Sequence, residues 1–338
     1  VETGCFSIHA LGEGWQTHSD VAIVGLGDVY GVYAARGPLR RIASGMLGIA
    51  DFIVTGTTWR YLATSWRYLF FVLYPLFVTA ALIVAAAAGG VAAAAFWGPA
   101  VGWGVALLLL AGLTGLLLAA EGWMHFLLVM DDWTFARDLA REGQPEVASM
   151  LASIAADAAR LARESNADET VVAAHSIGAV MAAEALAAAL RDGRAVAPVG
   201  LLTVGSSLLK VGLHPAARRL RACVKDIAAS RVPWLDVQAH TDVLNFYGAH
   251  PAKLLADGEA GGCRTMKIRF RYQLSPERYR VIRRNLFRVH RQFVYGVERR
   301  AEYAYHAILC GPEPFAEIVR NGGVAAEWPA PAGETIVP

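Results

Sequence analysis

The sequence predicts an α/β protein with a mainly parallel sheet and helices on both faces, interrupted by an apolar two-helix hairpin. Three observations lead to this prediction. Short apolar segments suited to buried strands alternate with amphipathic helical segments. Residues 68–120 contain no Asp, Glu, Lys or Arg. In the whole chain, 18% of the 338 residues are charged, against about 25% in an average soluble protein.

The composition excludes several classes of protein. An apolar share of 55% is opposite to that of a disordered chain. The formal net charge of +2 gives no strong field that would attract nucleic acid. The four cysteines form neither a CxxC pair nor a Cys/His cluster, so we expect no disulfide framework, no metal and no cofactor. Reduced thiols in a cytosol-facing protein are the default expectation.

The first 67 residues are predicted to hold one strand and membrane-proximal helices. Val21–Leu26 is the plausible strand, and residues 36–67 form amphipathic helix. Residues 6–12 resemble only poorly a strand that ends in a glycine-containing loop.

Residues 68–121 are predicted to cross a membrane twice. A helix of about 20 apolar residues spans a hydrocarbon core, and Phe96-Trp97-Gly98-Pro99 divides the uncharged stretch into two such helices. Arginines flank both ends, whereas the connecting turn has none, so both termini should face the cytoplasm. The alternative is a long hairpin buried within a soluble protein.

Residues 122–320 are predicted to form the main α/β domain, and residues 321–338 a disordered tail. The helical segments are Pro145–Glu164 and Ala179–Leu190. Apolar runs predict buried strands at Thr170–Ala174, Val199–Val204 and Trp234–Ala239. An alternating run predicts a more exposed strand at Met266–Tyr272. Asp131-Asp132-Trp133 is expected to cap a helix rather than to bind a metal.

A candidate nucleophile stands between the first of these strands and the helix that follows. In Ala174-His175-Ser176-Ile177-Gly178, small residues lie two positions before and two positions after Ser176. A sharp strand–turn–helix corner needs small residues there, and it presents the serine hydroxyl at the helix N-terminus. The N–H of Ile177 would then be one oxyanion donor. A merely structural serine is the alternative.

A serine nucleophile requires a base, and the base requires an acid that orients it. Asp242 follows the strand Trp234–Ala239, where an acid of the order Ser, Asp, His is expected. Two histidines lie downstream. We favour His290 as the base, and His306, within an apolar stretch, is the alternative.

From about Arg36 onward the chain resembles bacterial membrane-associated α/β-hydrolase-fold proteins of a lipase-like, largely uncharacterised kind. The resemblance lies in residues 35–41, 131–140, 174–178, 202–207, 242–247, 274–277, 290–296 and 309–312. It implies an α/β-hydrolase-like fold, acyl transfer from an ester or lipid to water, and a place in the bacterial inner membrane. It also implies Ser176 as nucleophile, Asp242 as acid and His290 as base, with no cofactor. His306 stands where an aromatic residue is expected.

Two features leave alternatives open. The chain begins at Val1 without the strand and loop that would supply a second oxyanion donor, so a catalytically inactive membrane scaffold or binding module is the competing prediction. Residues 264–300 hold 12 basic and two acidic residues. We expect this segment to contact anionic lipid headgroups rather than nucleic acid. A solvated basic face is the other possibility.

Overall fold

Four parallel strands form the centre of the α/β body. The computed structural model describes residues 3–164, 167–191 and 198–325. Within this part of the chain, the parallel strands have the order β3-β4-β5-β6, and a separate antiparallel pair is formed by β1 and β2. The strands are β1 (Thr3–Gly12), β2 (Trp15–Val24), β3 (Thr170–His175), β4 (Val199–Val204), β5 (Trp234–Ala239) and β6 (Cys263–Ile268).

The N-terminal region differs from its prediction. The strand predicted at Val21–Leu26 ends at Val24 and begins at Trp15, and it pairs with β1 instead of joining the parallel sheet. Leu26 caps the first helix instead of extending the strand. Three helices follow before the apolar hairpin: α1 (Gly27–Ala34), α2 (Pro38–Val54) and α3 (Thr57–Thr64).

The uncharged stretch forms two long helices, α4 (Leu69–Trp97) and α5 (Pro99–Ala119), joined by Gly98. Gly98 has a φ of 88°, a left-handed conformation that glycine adopts at little cost, so the chain reverses in one residue. Both helices are long and apolar enough to cross a membrane. Only 22% of the most apolar window of the first and 11% of the second is buried within the protein. The body therefore does not enclose them.

The segment after the hairpin corrects one expectation. It forms α6 (Glu121–Met124) and α7 (Phe126–Arg141), so Asp131 and Asp132 lie inside α7 and cap no helix. Asp131 instead accepts hydrogen bonds from the Arg41 guanidinium of α2, the shortest at 2.6 Å. This ion pair joins helices on the two sides of the hairpin.

Helices and loops cover both faces of the parallel sheet. Strand β5 is buried at every position, with Trp234 facing one core and Leu235 the other. The predicted bounds of β4, β5 and the helix at Pro145–Glu164 coincide with those of the structure. The remaining helices are α8 (Pro145–Glu164), α9 (Gly178–Arg191), α10 (Leu208–Gly212), α11 (Arg218–Ser230), α12 (Pro251–Leu255), α13 (Pro276–Ile282), α14 (Leu286–Arg291), α15 (Tyr305–Cys310) and α16 (Phe315–Asn321).

The C-terminal third shows two further differences. The exposed strand predicted at Met266–Tyr272 begins earlier, at Cys263, and gives way to a short 3-10 helix at Phe270–Tyr272. In the tail predicted to be disordered, α16 reaches Asn321, and residues 326–338 lie outside the described residues.

Candidate active site

Ser176 occupies a strained corner between β3 and α9. Its φ is 56°, in the left-handed region that costs a non-glycine residue roughly 1–2 kcal/mol. Two backbone hydrogen bonds hold the corner against β4 and the loop after it: the Ser176 N–H donates to Val204 O at 3.1 Å, and the Ser207 N–H donates to Ser176 O at 3.0 Å. Strain of this kind persists where the surrounding structure imposes it, and it concentrates at functional sites.

Asp242 and His290 form a buried hydrogen-bonded pair. Asp242 lies in the turn after β5, and its Oδ1 accepts the Leu244 N–H at 2.9 Å. Its Oδ2 lies 2.8 Å from Nδ1 of His290, which α14 carries. Because a carboxylate only accepts, Nδ1 donates the proton and Nε2 of the neutral ring keeps its lone pair. That Nε2 is buried and has no hydrogen-bond partner among the described residues.

One cavity of about 270 Å³ brings Ser176 and His290 together. Its wall also includes Ser207, Leu26, Tyr30 and Asp132. The Ser176 Oγ lies 3.5 Å from the Ser207 Oγ, and no hydrogen bond joins it to His290 in this structure. Catalytic hydrogen bonds are often long or misaligned before substrate binds. The arrangement therefore places a serine and a histidine in the wall of one cavity, with the Asp242 carboxylate hydrogen-bonded to the other nitrogen of that histidine.

Two backbone N–H groups near this cavity are free to bind an anion. Ile177, the residue after Ser176, lines the cavity, and its N–H has no acceptor within the described part of the chain. Leu26 also lines the cavity and immediately precedes α1, whose first N–H groups have no acceptor within the helix. Its own N–H is likewise without an acceptor over the residues described. The loop after β2 thus contributes Leu26 to the wall of the cavity that Ser176 lines.

His175 lines the same cavity and packs beside the ring of His290. Its Nε2 donates to the His290 carbonyl at 2.9 Å, and the two ring centres are 4.5 Å apart. Burial, followed by the positive charge that His290 carries when it is protonated, lowers the pKa of His175 to about 3. The ring is therefore neutral near pH 7 and acts as a donor to this carbonyl. Sequence reasoning assigned no role to His175, because the position between strand and serine carries no pattern of its own.

Gly205 gives His290 its space. Its φ of 53° is left-handed. A β-carbon at this position would lie 2.7 Å from the Phe293 ring and 3.1 Å from Cε1 of His290. A glycine directly after β4 is thus required both by the backbone conformation and by the close approach of the imidazole.

A buried ion pair forms another part of the wall. Lys210 of α10 is buried and pairs with Asp132 of α7, whose carboxylate borders the cavity. Its Nζ lies 4.2 Å from the centre of the Trp133 ring. Burial lowers the pKa of Lys210, and the Asp132 carboxylate opposes that shift. Sequence reasoning missed this pair; an Asp amid the apolar residues of α7 was the signal that a cation must lie opposite.

The alternative base predicted from the sequence lies away from the Ser176 cavity. His306 is exposed on α15 and does not line the cavity. Among the described residues, no group of three or more His, Cys, Asp or Glu side chains could hold a metal ion. Comparison of the chain with protein-family models, with curated proteins and with solved structures finds no match.

Proposed function

We propose that this protein is a membrane-anchored serine hydrolase of the α/β-hydrolase fold that transfers an acyl group from an ester to water. One observation carries the proposal. A serine in a left-handed strand–helix corner shares a cavity with the unpaired Nε2 of a histidine whose Nδ1 is held by a buried carboxylate. These are the three groups that nucleophilic catalysis by serine requires.

In the proposed mechanism, the Ser176 Oγ attacks the carbonyl carbon of the ester, and Nε2 of His290 takes the hydroxyl proton. Asp242 holds the ring in the required tautomer and stabilises the imidazolium. The imidazolium then protonates the alkoxide as its bond to the carbonyl carbon breaks, so the alcohol departs and the acyl group remains bonded to the Ser176 Oγ. Water attacks the acyl-enzyme as His290 removes its proton, and transfer of that proton to Oγ releases the carboxylic acid.

The developing oxyanion would be stabilised by the Ile177 N–H and by a second donor at the Leu26–Gly27 segment. One such donor is typically worth about 10²–10³ in rate. In this proposal the loop after β2 is the source of the second donor, because Leu26 lines the cavity.

Anchoring by α4 and α5 in the bacterial inner membrane, with both termini in the cytoplasm, completes the proposal. The basic segment 264–300 would then contact anionic headgroups. Its position supports this: Arg269 and Arg271 act on His240 together with Arg67, which lies at the start of the hairpin. Burial and these three positive charges lower the pKa of His240. Two basic residues of this segment therefore lie near Arg67, at the start of the hairpin.

A catalytically inactive scaffold of the same fold is the competing candidate. It is favoured by the hydrogen bond of the Ser176 Oγ, which joins Ser207 rather than Nε2 of His290. In a scaffold, Ser176 would have only a structural role at the corner.

Labelling of the full chain by a small fluorophosphonate probe decides between the two. We expect covalent labelling of the wild type and none of Ser176→Ala, with Ser207→Ala as the matched control because its hydroxyl also lines the cavity. The Ser207→Ala variant should still be labelled. Equal labelling of wild type and Ser176→Ala would remove the enzymatic proposal.

A further inference from the structure

A second cavity lies at the foot of the apolar hairpin. Its volume is about 150 Å³. Phe71 and Tyr74 of α4 form one side, and Trp123 and Met124, which follow α5, form another. The Tyr74 hydroxyl donates to the Met124 carbonyl at 2.7 Å and so ties the two ends of the hairpin together. This outer cavity is therefore located where the apolar helices meet the α/β body.

The outer cavity and the Ser176 cavity are neighbours. Four apolar residues line both: Phe71, Val129, Leu244 and Phe287. Phe287 is only partly buried, and it lies on α14 three residues before His290, so the two side chains project from neighbouring positions on one helix. The partition between the cavities is thus apolar and includes the helix that carries the candidate base.

The mouth of the outer cavity has the character of a membrane interface. Trp123 is 73% exposed, and Arg284, which also lines the cavity, is exposed. Tryptophan and arginine are residues that occupy the headgroup level of a bilayer. Apolar cavities of about this size bind small hydrocarbons without admitting water. An alkyl chain at the mouth would exchange the bilayer for a lining that is mainly apolar, with Tyr74, Arg284 and Asn285 as its polar members.

We propose that the outer cavity takes the acyl chain of a long-chain ester directly from the bilayer, with Phe287 and Phe71 at the passage to Ser176. This inference rests on the proposed function for the position of the ester, because it places the carbonyl beside Ser176 and the chain toward the hairpin. The substrate class is then a membrane amphiphile with a long acyl chain, and short-chain water-soluble esters are poor substrates.

Photocross-linking tests the site without relying on catalysis. The full-length Ser176→Ala variant is reconstituted in phosphatidylcholine vesicles that contain the p-nitrophenyl ester of dodecanoic acid with a terminal diazirine. We expect cross-links at residues that line the outer cavity and not the Ser176 cavity, Tyr74, Met124 or Leu286, identified by mass spectrometry. Cross-links confined to the outward surfaces of α4 and α5 would overturn the inference, whether or not Ser176 is a nucleophile.

Kinetics of the active protein provide a second measurement. Met124→Trp fills the outer cavity without replacing a residue of the Ser176 cavity. We expect its ratio of kcat/KM for dodecanoyl over butanoyl p-nitrophenyl esters to fall about tenfold, as for exclusion of about two methylene groups. Val281→Trp, which adds the same ring at an exposed position outside both cavities, should keep the wild-type ratio.

The outcomes of the two measurements separate the two proposals. An unchanged ratio in Met124→Trp would count against the acyl-chain site. If the wild type hydrolyses neither ester while the cross-links fall in the outer cavity, the hydrolase proposal fails and the binding site stands. If both esters are hydrolysed and no cross-link reaches the outer cavity, the hydrolase proposal stands and the acyl-chain site fails.

Discussion

Replacing Asp242 by Asn should abolish most of the activity while preserving the fold. The asparagine oxygen can take the place of Oδ1, which accepts the Leu244 N–H at 2.9 Å. Its amide nitrogen then replaces Oδ2, 2.8 Å from Nδ1 of His290, and it donates where the carboxylate accepted. Nδ1 must become the acceptor, so the ring proton moves to Nε2. A base that already carries its proton cannot accept one from Ser176.

The expected loss in kcat is about 10⁴-fold, or about 5 kcal/mol in activation free energy. Hydrolysis of a p-nitrophenyl ester by the full-length protein in detergent measures it, and urea unfolding should show a change of at most about 1 kcal/mol. Asp257→Asn serves as the control, because Asp257 forms only an exposed ion pair with Lys225. More than about a tenth of the activity remaining in Asp242→Asn would refute the tautomer reasoning, since a lost orienting acid costs far more.

Two further predictions concern the surroundings of the site. Gly205→Ala should lower the free energy of unfolding by about 1–2 kcal/mol and reduce the rate of ester hydrolysis, because the new methyl group meets Phe293 and His290. Urea unfolding and ester assays measure the two quantities. Gly296→Ala, whose methyl group meets nothing within 4 Å, should change neither. Burial raises the pKa of Asp236 to about 6, so between about pH 4 and pH 6 the folded protein holds a proton that the unfolded chain has released. Stability should fall through that window as pH rises, by about 3 kcal/mol, and this part of the pH dependence should disappear in Asp236→Asn; an identical pH profile for both proteins would contradict it.

The strands and helices that the sequence predicts well are those with a simple apolar pattern. Strand β4 is an apolar run in the middle of the sheet, and α8 has one apolar stripe, so local pattern and burial agree. Strand β5 is buried throughout although it also carries Asp236 and Gln238. Of the N-terminal pair, only the end of β2 was predicted, and its pairing with β1 was missed, because both strands mix polar and apolar residues and pair only with each other among the described strands. Glu13-Gly14, the two-residue turn between Gly12 and Trp15, was the available signal.

The residues of the candidate site also differ in whether a local sequence pattern predicts them. The corner at Ser176 is visible in five consecutive residues, whereas Asp242 and His290 are separated by 48 positions and were chosen by their order along the chain. The Lys210–Asp132 pair spans 78 positions and joins two helices. No local pattern predicts which cation faces which carboxylate at that distance, because the pairing depends on how α7 and α10 pack. The catalytic roles of Ser176, Asp242 and His290 stay predictions.

The hydrogen bond between Tyr74 and Met124 has a consequence for the architecture of the chain. The polypeptide leaves the α/β body and returns to it at one point. The apolar hairpin therefore lengthens the chain without separating the parts of the body before and after it. If the hairpin were removed, a linker of a few residues, each spanning up to about 3.5 Å, could join the two chain ends without moving α3 or α7. The apolar hairpin is thus an insertion in the α/β body, and the topology of that body does not depend on the length of the hairpin.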